Sequence, residues 1–130
     1  QLVKMGLLCI TSQTPHTIYS LIDQSRKDTV LFLISESGET HEVIKAASIA
    51  KERGVPIIAM TRMSKNPLHG YADLLLKTVA FETQTRLNIT TMRCSQLYLI
   101  DALYLNIMKS NFTKYNKIIA RSEVLSDRRQ

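Results

Sequence analysis

Residues 30–34 read VLFLI, an apolar run with no polar interruption, and residues 55–61 read VPIIAMT. Between them, residues 39–53 set Val43, Ala46, Ala47 and Ala50 on one stripe at helical spacing, with Ile49 beside it and Lys45, Lys51 and Glu52 away from it. A strand without alternating polar residues has no face for water, and such strands belong to parallel sheets whose crossovers are helices. Pro56 stands at the start of its run, where a missing N–H is tolerated, and Gly54 supplies the helix stop. This unit alone demands an α/β fold.

The rest of the chain extends the same order. Residues 7–11 (LLCIT) read as a first buried strand, and Pro15 opens a helical pattern through about Gln24, with Thr14 as N-cap and Ile18, Leu21 and Ile22 at helical spacing. The second strand spans 29–34, the third 55–61 and the fourth 72–78 (ADLLLKT). Strands alternating with helices predict a parallel, right-handed sheet with helices on both faces. From about Thr90 to Lys109 the chain carries apolar residues on almost every side of a helix, without Gly or Pro, and a last helix covers 113–127. A helix apolar all round needs cover all round, which predicts a homodimer or higher oligomer; cover by the last helix is the alternative.

Composition narrows the function classes. A chain of 130 residues with 45% hydrophobic content fits one globular domain. No apolar run approaches the roughly 20 residues that cross a bilayer, and no signal peptide is visible, so the expectation is a cytoplasmic protein with no membrane partner. Much of the formal charge of +6 gathers late, in Lys109, Lys114, Lys117, Arg121, Arg128 and Arg129 against Glu123 and Asp127. A basic, Asn- and Lys-containing last helix of this kind reads as a solvated face. Cys9 and Cys94 form no CxxC or CxxH pattern and read as buried thiols; neither a metal site nor a cofactor is expected. A start at Gln1 within a helix-like end reads as a fragment of a longer protein.

The chemistry concentrates in residues 35–40, SESGET, which leave the second strand at the carboxyl edge of the sheet, where open α/β folds bind ligands. Gly38 permits a tight turn and close backbone approach. The first N–H groups of the following helix lack intrahelical partners and carry the positive end of its dipole. Ser35, Ser37 and Thr40 add rotatable hydroxyl donors. One hydroxyl suffices for an N-cap; three with a glycine read as a phosphate cradle. Glu36 would repel a phosphate if it pointed inward, so it is expected to turn to solvent, to a sugar hydroxyl, or to a basic residue outside this chain.

SESGET resembles the S-x-S-G-E-T signature of the sugar isomerase (SIS) domain. The stretches IAKERGVPIIAMT, NPLHGYADLLL and RCSQLYLIDALYLNI (93–107) resemble the sugar-phosphate-sensing domain of RpiR-family bacterial transcriptional regulators, over about residues 3–125. The resemblance implies a three-layer α/β/α domain with a mainly parallel, doubly wound sheet that binds a phosphorylated sugar and dimerises. It implies DNA binding through a separate N-terminal helix-turn-helix domain absent from residues 1–130. By the same resemblance Ser35, Ser37 and Thr40 bind phosphate with the Gly38 backbone, Glu36 and Glu39 flank the ligand, and Glu39 opens the helix. Two departures stand out: Glu36 replaces an uncharged residue, and the family's first strand and helix are missing before Gln1.

The main alternative is an aldose–ketose isomerase of sugar phosphates. It needs a base near the sugar C1 and C2, for which His16, His41, His69 and Glu82 are the candidates, and no acid–base pair emerges from their spacing. A flavodoxin-like flavin site would follow the first strand and want flanking aromatics, and a serine hydrolase would need G-x-S-x-G, which SESGE is not. Effector sensing, without catalysis, is the expectation.

Overall fold

The computed structural model describes residues 2–79 and 86–127. The chain divides into two compact units, Ser12–Gln96 and the pair Gln1–Thr11 with Leu97–Gln130.

The first unit holds the sheet. Strands β1 (Leu31–Ile34), β2 (Ile57–Arg62) and β3 (Leu74–Thr78) run parallel in the order β1-β2-β3. Leu31 pairs with Ile57 and Ile34 with Met60 on one side of β2, and Ile58 pairs with Leu74 and Arg62 with Thr78 on the other. Helix α1 (Pro15–Asp23) starts at Pro15 after an extended Thr14, whose N–H is taken by Ser12 Oγ at 3.1 Å. Helix α2 (His41–Glu52) buries Ala46, Ala47 and Ala50 against Leu33, Ile57 and Ala59, with Ile22 of α1 and Leu68 in the same core. Three alanines bring the helix backbone close to the sheet, so added volume there would be strained.

The crossover from α2 into β2 is set by Gly54 at φ +67°. Gly54 N–H reaches Lys51 C=O at 3.1 Å and Val55 N–H reaches Ala50 C=O at 2.9 Å, the paired bonds of a Schellman cap, and Val55 is buried beyond it. Asp73 fixes the amino end of β2, where that crossover enters the sheet, by accepting the Ile57 N–H at 2.8 Å.

The second unit contains a 3₁₀ turn (Leu2–Met5), the later part of helix α3 (Arg86–Ser110) and helix α4 (Phe112–Asp127). Met5 is buried, Gly6 ends the turn at φ +80° close to Ile118, and Asn111 caps α4 through its side-chain oxygen to the Lys114 N–H at 3.2 Å. On α3, Leu97, Tyr98, Asp101 and Leu105 form an exposed stripe at helical spacing, so this helix is not covered all round.

Several expectations need correction. Residues 7–11 form no strand: they are irregular, without ladder partners, and Leu7, Leu8, Cys9 and Ile10 are exposed. Five apolar residues become a strand only beside another strand's free N–H and C=O groups, which a sequence pattern cannot supply. β1 is consequently an edge strand, and Val30 and Ile34 are about half exposed rather than enclosed. Both cysteines are exposed and free, Cys9 in that irregular segment and Cys94 on α3. The α/β class stands, as a parallel sheet flanked by helices. Among the described residues no helix is long and apolar enough to cross a membrane, and no group of three His, Cys, Asp or Glu could hold a metal ion.

Candidate functional site

The hydroxyl turn lies beyond the carboxyl end of β1, as the sequence order requires. Ser35 N–H bonds Met60 C=O at 3.0 Å, and the Glu36 C=O receives the Arg62 N–H at 3.1 Å and the Thr61 hydroxyl at 3.2 Å. The ladder thus continues past the last strand residue before the chain turns. Gly38 makes that turn at φ +66°, a conformation that residues with a Cβ rarely adopt.

Each hydroxyl then takes a defined place. Ser35, 6% exposed, accepts the Gly38 N–H at 3.2 Å and shares a hydrogen bond with the Thr40 hydroxyl at 3.0 Å. Ser37 accepts the Glu39 N–H at 3.1 Å. Thr40 is the N-cap residue of α2 by backbone geometry, yet its side chain makes no capping bond, and Val43 and Ile44 N–H groups both turn to its carbonyl at 3.0 Å. The simple cap is therefore not what these hydroxyls do. They shape the loop, and the opening N–H groups of α2 are left without a side-chain acceptor at the positive end of the helix dipole. The helix opens at His41 rather than Glu39, because Thr40 holds ψ near 119°, outside the helical range.

A second loop clamps the first. Leu68 N–H bonds Gly38 C=O at 3.2 Å, and Arg62 reaches Glu39 at 3.0 Å. Asn66, 7% exposed, donates its amide to Thr61 Oγ1 at 3.2 Å and Ser64 C=O at 3.0 Å, and the same nitrogen lies 3.2 Å from His69 Nε2. A Cβ on Gly38 would overlap the Asn66 side-chain amide, so the glycine is required by space as well as by φ. The Asn66 Oδ1 against this turn is buried and unpartnered.

Glu36 behaves differently from expectation. Its Oε2 is buried without a partner instead of pointing to water, and the basic residue of the site, Arg62, lies within this chain and pairs with Glu39. The structure therefore brings Ser35, Glu36, Ser37, Gly38, Glu39 and Thr40 together with Thr61, Arg62, Asn66 and His69. Thr61, Arg62 and Asn66 were missed as site residues, and their sequence signal was a polar loop after an apolar strand; His69 was foreseen as a candidate base.

Of the candidate bases, His69 joins this cluster, His41 is exposed in the first turn of α2, and His16 is exposed beside Tyr19. Glu82 lies outside the described residues. A concavity of about 230 Å³ lined by Ser25, Arg26, Lys27 and Arg53 sits at the opposite, amino ends of β1 and β2. Arg26 and Arg53 there are already paired with Asp28 and Asp23.

Comparison with known proteins adds three findings. Residues 6–106 match the family model described as SIS domain. The chain is 32% identical over 127 residues to an uncharacterised HTH-type transcriptional regulator of Clostridium perfringens, covering 96% of this chain and 46% of that protein. An uncharacterised HTH-type transcriptional regulator of Bacillus subtilis is 36% identical over 98 residues, 75% of this chain and 35% of the relative. The chain thus spans less than half the length of these curated relatives. Among solved structures, the Vibrio vulnificus NanR protein complexed with ManNAc-6P superposes with a TM-score of 0.85 at 23% identity, over 95% of this chain and 47% of that one. The sugar isomerase domain of an RpiR transcription factor from Sphaerobacter thermophilus gives 0.62 at 19% identity, over 94% and 66%.

Proposed function

Because the chain belongs to the SIS domain family, we propose that it is the effector-sensing domain of a bacterial transcriptional regulator and binds a phosphorylated sugar at the hydroxyl turn. The observation that carries this reading is the uncapped amino terminus of α2, with Ser35, Ser37 and Thr40 folded around Gly38 beside it. Such a terminus favours an anion, and the hydroxyls supply donors that adjust to several phosphate oxygens. The HTH-type relatives and the NanR neighbour with its ManNAc-6P support the same assignment.

In this account residues 1–130 serve as the sensing part of a longer cytoplasmic protein, and DNA is contacted by a helix-turn-helix domain outside them. Two copies pair through the exposed stripe of Leu97, Tyr98 and Leu105. A sugar phosphate shifts the regulator only by binding one arrangement of that pair better than the other.

Isomerase chemistry is the second reading, favoured by His69 in the cluster behind the turn. Its ring nitrogen already faces the Asn66 amide and has no carboxylate partner among the described hydrogen bonds, so sensing is the stronger assignment. Titration calorimetry of the chain with hexose and N-acetylhexosamine 6-phosphates tests both. Saturable binding without conversion supports the sensor, conversion of the bound sugar supports the isomerase, and no binding of any sugar phosphate refutes the cradle.

A further inference from the structure

Three buried polar atoms without hydrogen-bond partners lie along one row at the carboxyl ends of the three strands: Oε2 of Glu36, Nε of Arg62 and Oγ1 of Thr78. The sheet brings them into line. Arg62 is the register partner of Thr78, and its N–H is bonded to the Glu36 carbonyl. Alternation along β2 directs Thr61 with Ala59 to the side covered by α2, and Arg62 with Met60 to the other. The row is therefore separate from the hydroxyls of the cradle, although Glu36 stands between two of them in sequence.

Buried polar groups are nearly always satisfied, so each exception calls for a reason. These three are complementary in kind: a carboxylate oxygen that only accepts, a guanidinium N–H that only donates, and a hydroxyl that does both. Arg62 already spends one terminal nitrogen on Glu39, which leaves its Nε edge for something else. Thr78 is 0% exposed, so its hydroxyl has no recourse to bulk water. Neighbouring hydroxyl groups on a ligand would serve all three at once, because each hydroxyl both donates and accepts. A second anionic group would not, since the Glu36 carboxylate would face it.

We propose that Glu36, Arg62 and Thr78 form the sugar-reading row of this domain, with Glu36 as a specificity-determining residue that selects monophosphates of otherwise uncharged polyhydroxy sugars over bisphosphates and phosphorylated sugar acids. The proposal rests on the cradle being the phosphate site. Sites built to hydrogen-bond a hydroxyl reject ligands lacking it far more strongly than apolar pockets reject a methylene.

The test compares the wild-type chain with Glu36→Gln and Thr78→Val, both near-isosteric, after circular dichroism has established that each is folded. Inorganic phosphate, a hexose 6-phosphate and a hexose 1,6-bisphosphate are titrated and followed by amide NMR shifts. The row predicts that both variants lower the ratio of hexose 6-phosphate to inorganic phosphate affinity by about tenfold or more. It also predicts that Glu36→Gln narrows the discrimination against the bisphosphate. Unchanged ratios in variants that still bind the hexose phosphate overturn the row and leave the cradle standing. Failure of the wild type to bind phosphate or sugar phosphate overturns both.

Discussion

Gly38 and Gly54 provide a matched pair for testing how the cradle is held. Their φ angles are +66° and +67°, so alanine meets the same backbone penalty at each. That penalty is about 1–2 kcal/mol, offset by roughly 0.4–1 kcal/mol of lost unfolded-chain freedom, for a net of about 1 kcal/mol. The surroundings differ. A Cβ at Gly54 meets nothing within 4 Å, whereas one at Gly38 displaces the Asn66 amide, its bonds to Thr61 and Ser64 and its contact with His69. At about 1 kcal/mol for each bond in a buried setting, Gly38→Ala should cost roughly 2–3 kcal/mol more than Gly54→Ala. For a chain of this length each kcal/mol corresponds to about 4 °C in Tm, so the two variants should differ by around 10 °C. Urea and thermal unfolding followed by circular dichroism measure the gap. Placing both alanines in an Asn66→Ala background should remove most of it, because the displaced group is gone. Equal destabilisation at the two glycines would refute the clamp between the loops.

Other consequences are open to simpler assays. Ser37→Ala removes the acceptor of the Glu39 N–H at the rim of the cradle and should weaken sugar phosphate binding about tenfold, near 1.4 kcal/mol, by calorimetry. Leu68→Ala, at a fully buried position in the loop that clamps Gly38, should cost about 2–5 kcal/mol in urea unfolding. Arg53→Ala removes an ion pair with Asp23 whose side chains are each 55% exposed, and should change stability by less than about 1 kcal/mol. Leu105→Glu, placed in the exposed stripe of α3, should convert the proposed dimer to a monomer in sedimentation equilibrium; an unchanged mass would refute pairing through that stripe.

The parts legible in the sequence were those whose signal is local. The three strands of the sheet announced themselves as short apolar runs, continuous at Val30–Ile34, and α2 as an alanine stripe ended by Gly54. The SESGET turn appeared where the fold puts ligand loops, and its family resemblance is borne out by the match over residues 6–106. What failed depended on partners. Residues 7–11 have the composition of a strand but no ladder to join, and Cys9 is exposed with them. The site was half legible for the same reason. Arg62, Asn66 and Thr78 are single polar residues at a strand end, in a loop and at another strand end, and nothing marks them until register and the Gly38 turn bring them to one edge. The fate of Glu36 was likewise a matter of space: its Oε2 is buried without a partner, and Arg62, whose N–H holds the Glu36 carbonyl, lies 26 positions away in the chain.

The most direct test of the central claim is the amide NMR spectrum of the chain during addition of a sugar phosphate and, separately, of its unphosphorylated sugar. A phosphate held at the amino terminus of α2 should shift the amide protons of residues 37–42 most strongly, with the free sugar leaving them in place. Shifts gathered instead around Arg26, Lys27 and Arg53, at the opposite end of the sheet, or absent throughout, would contradict the account.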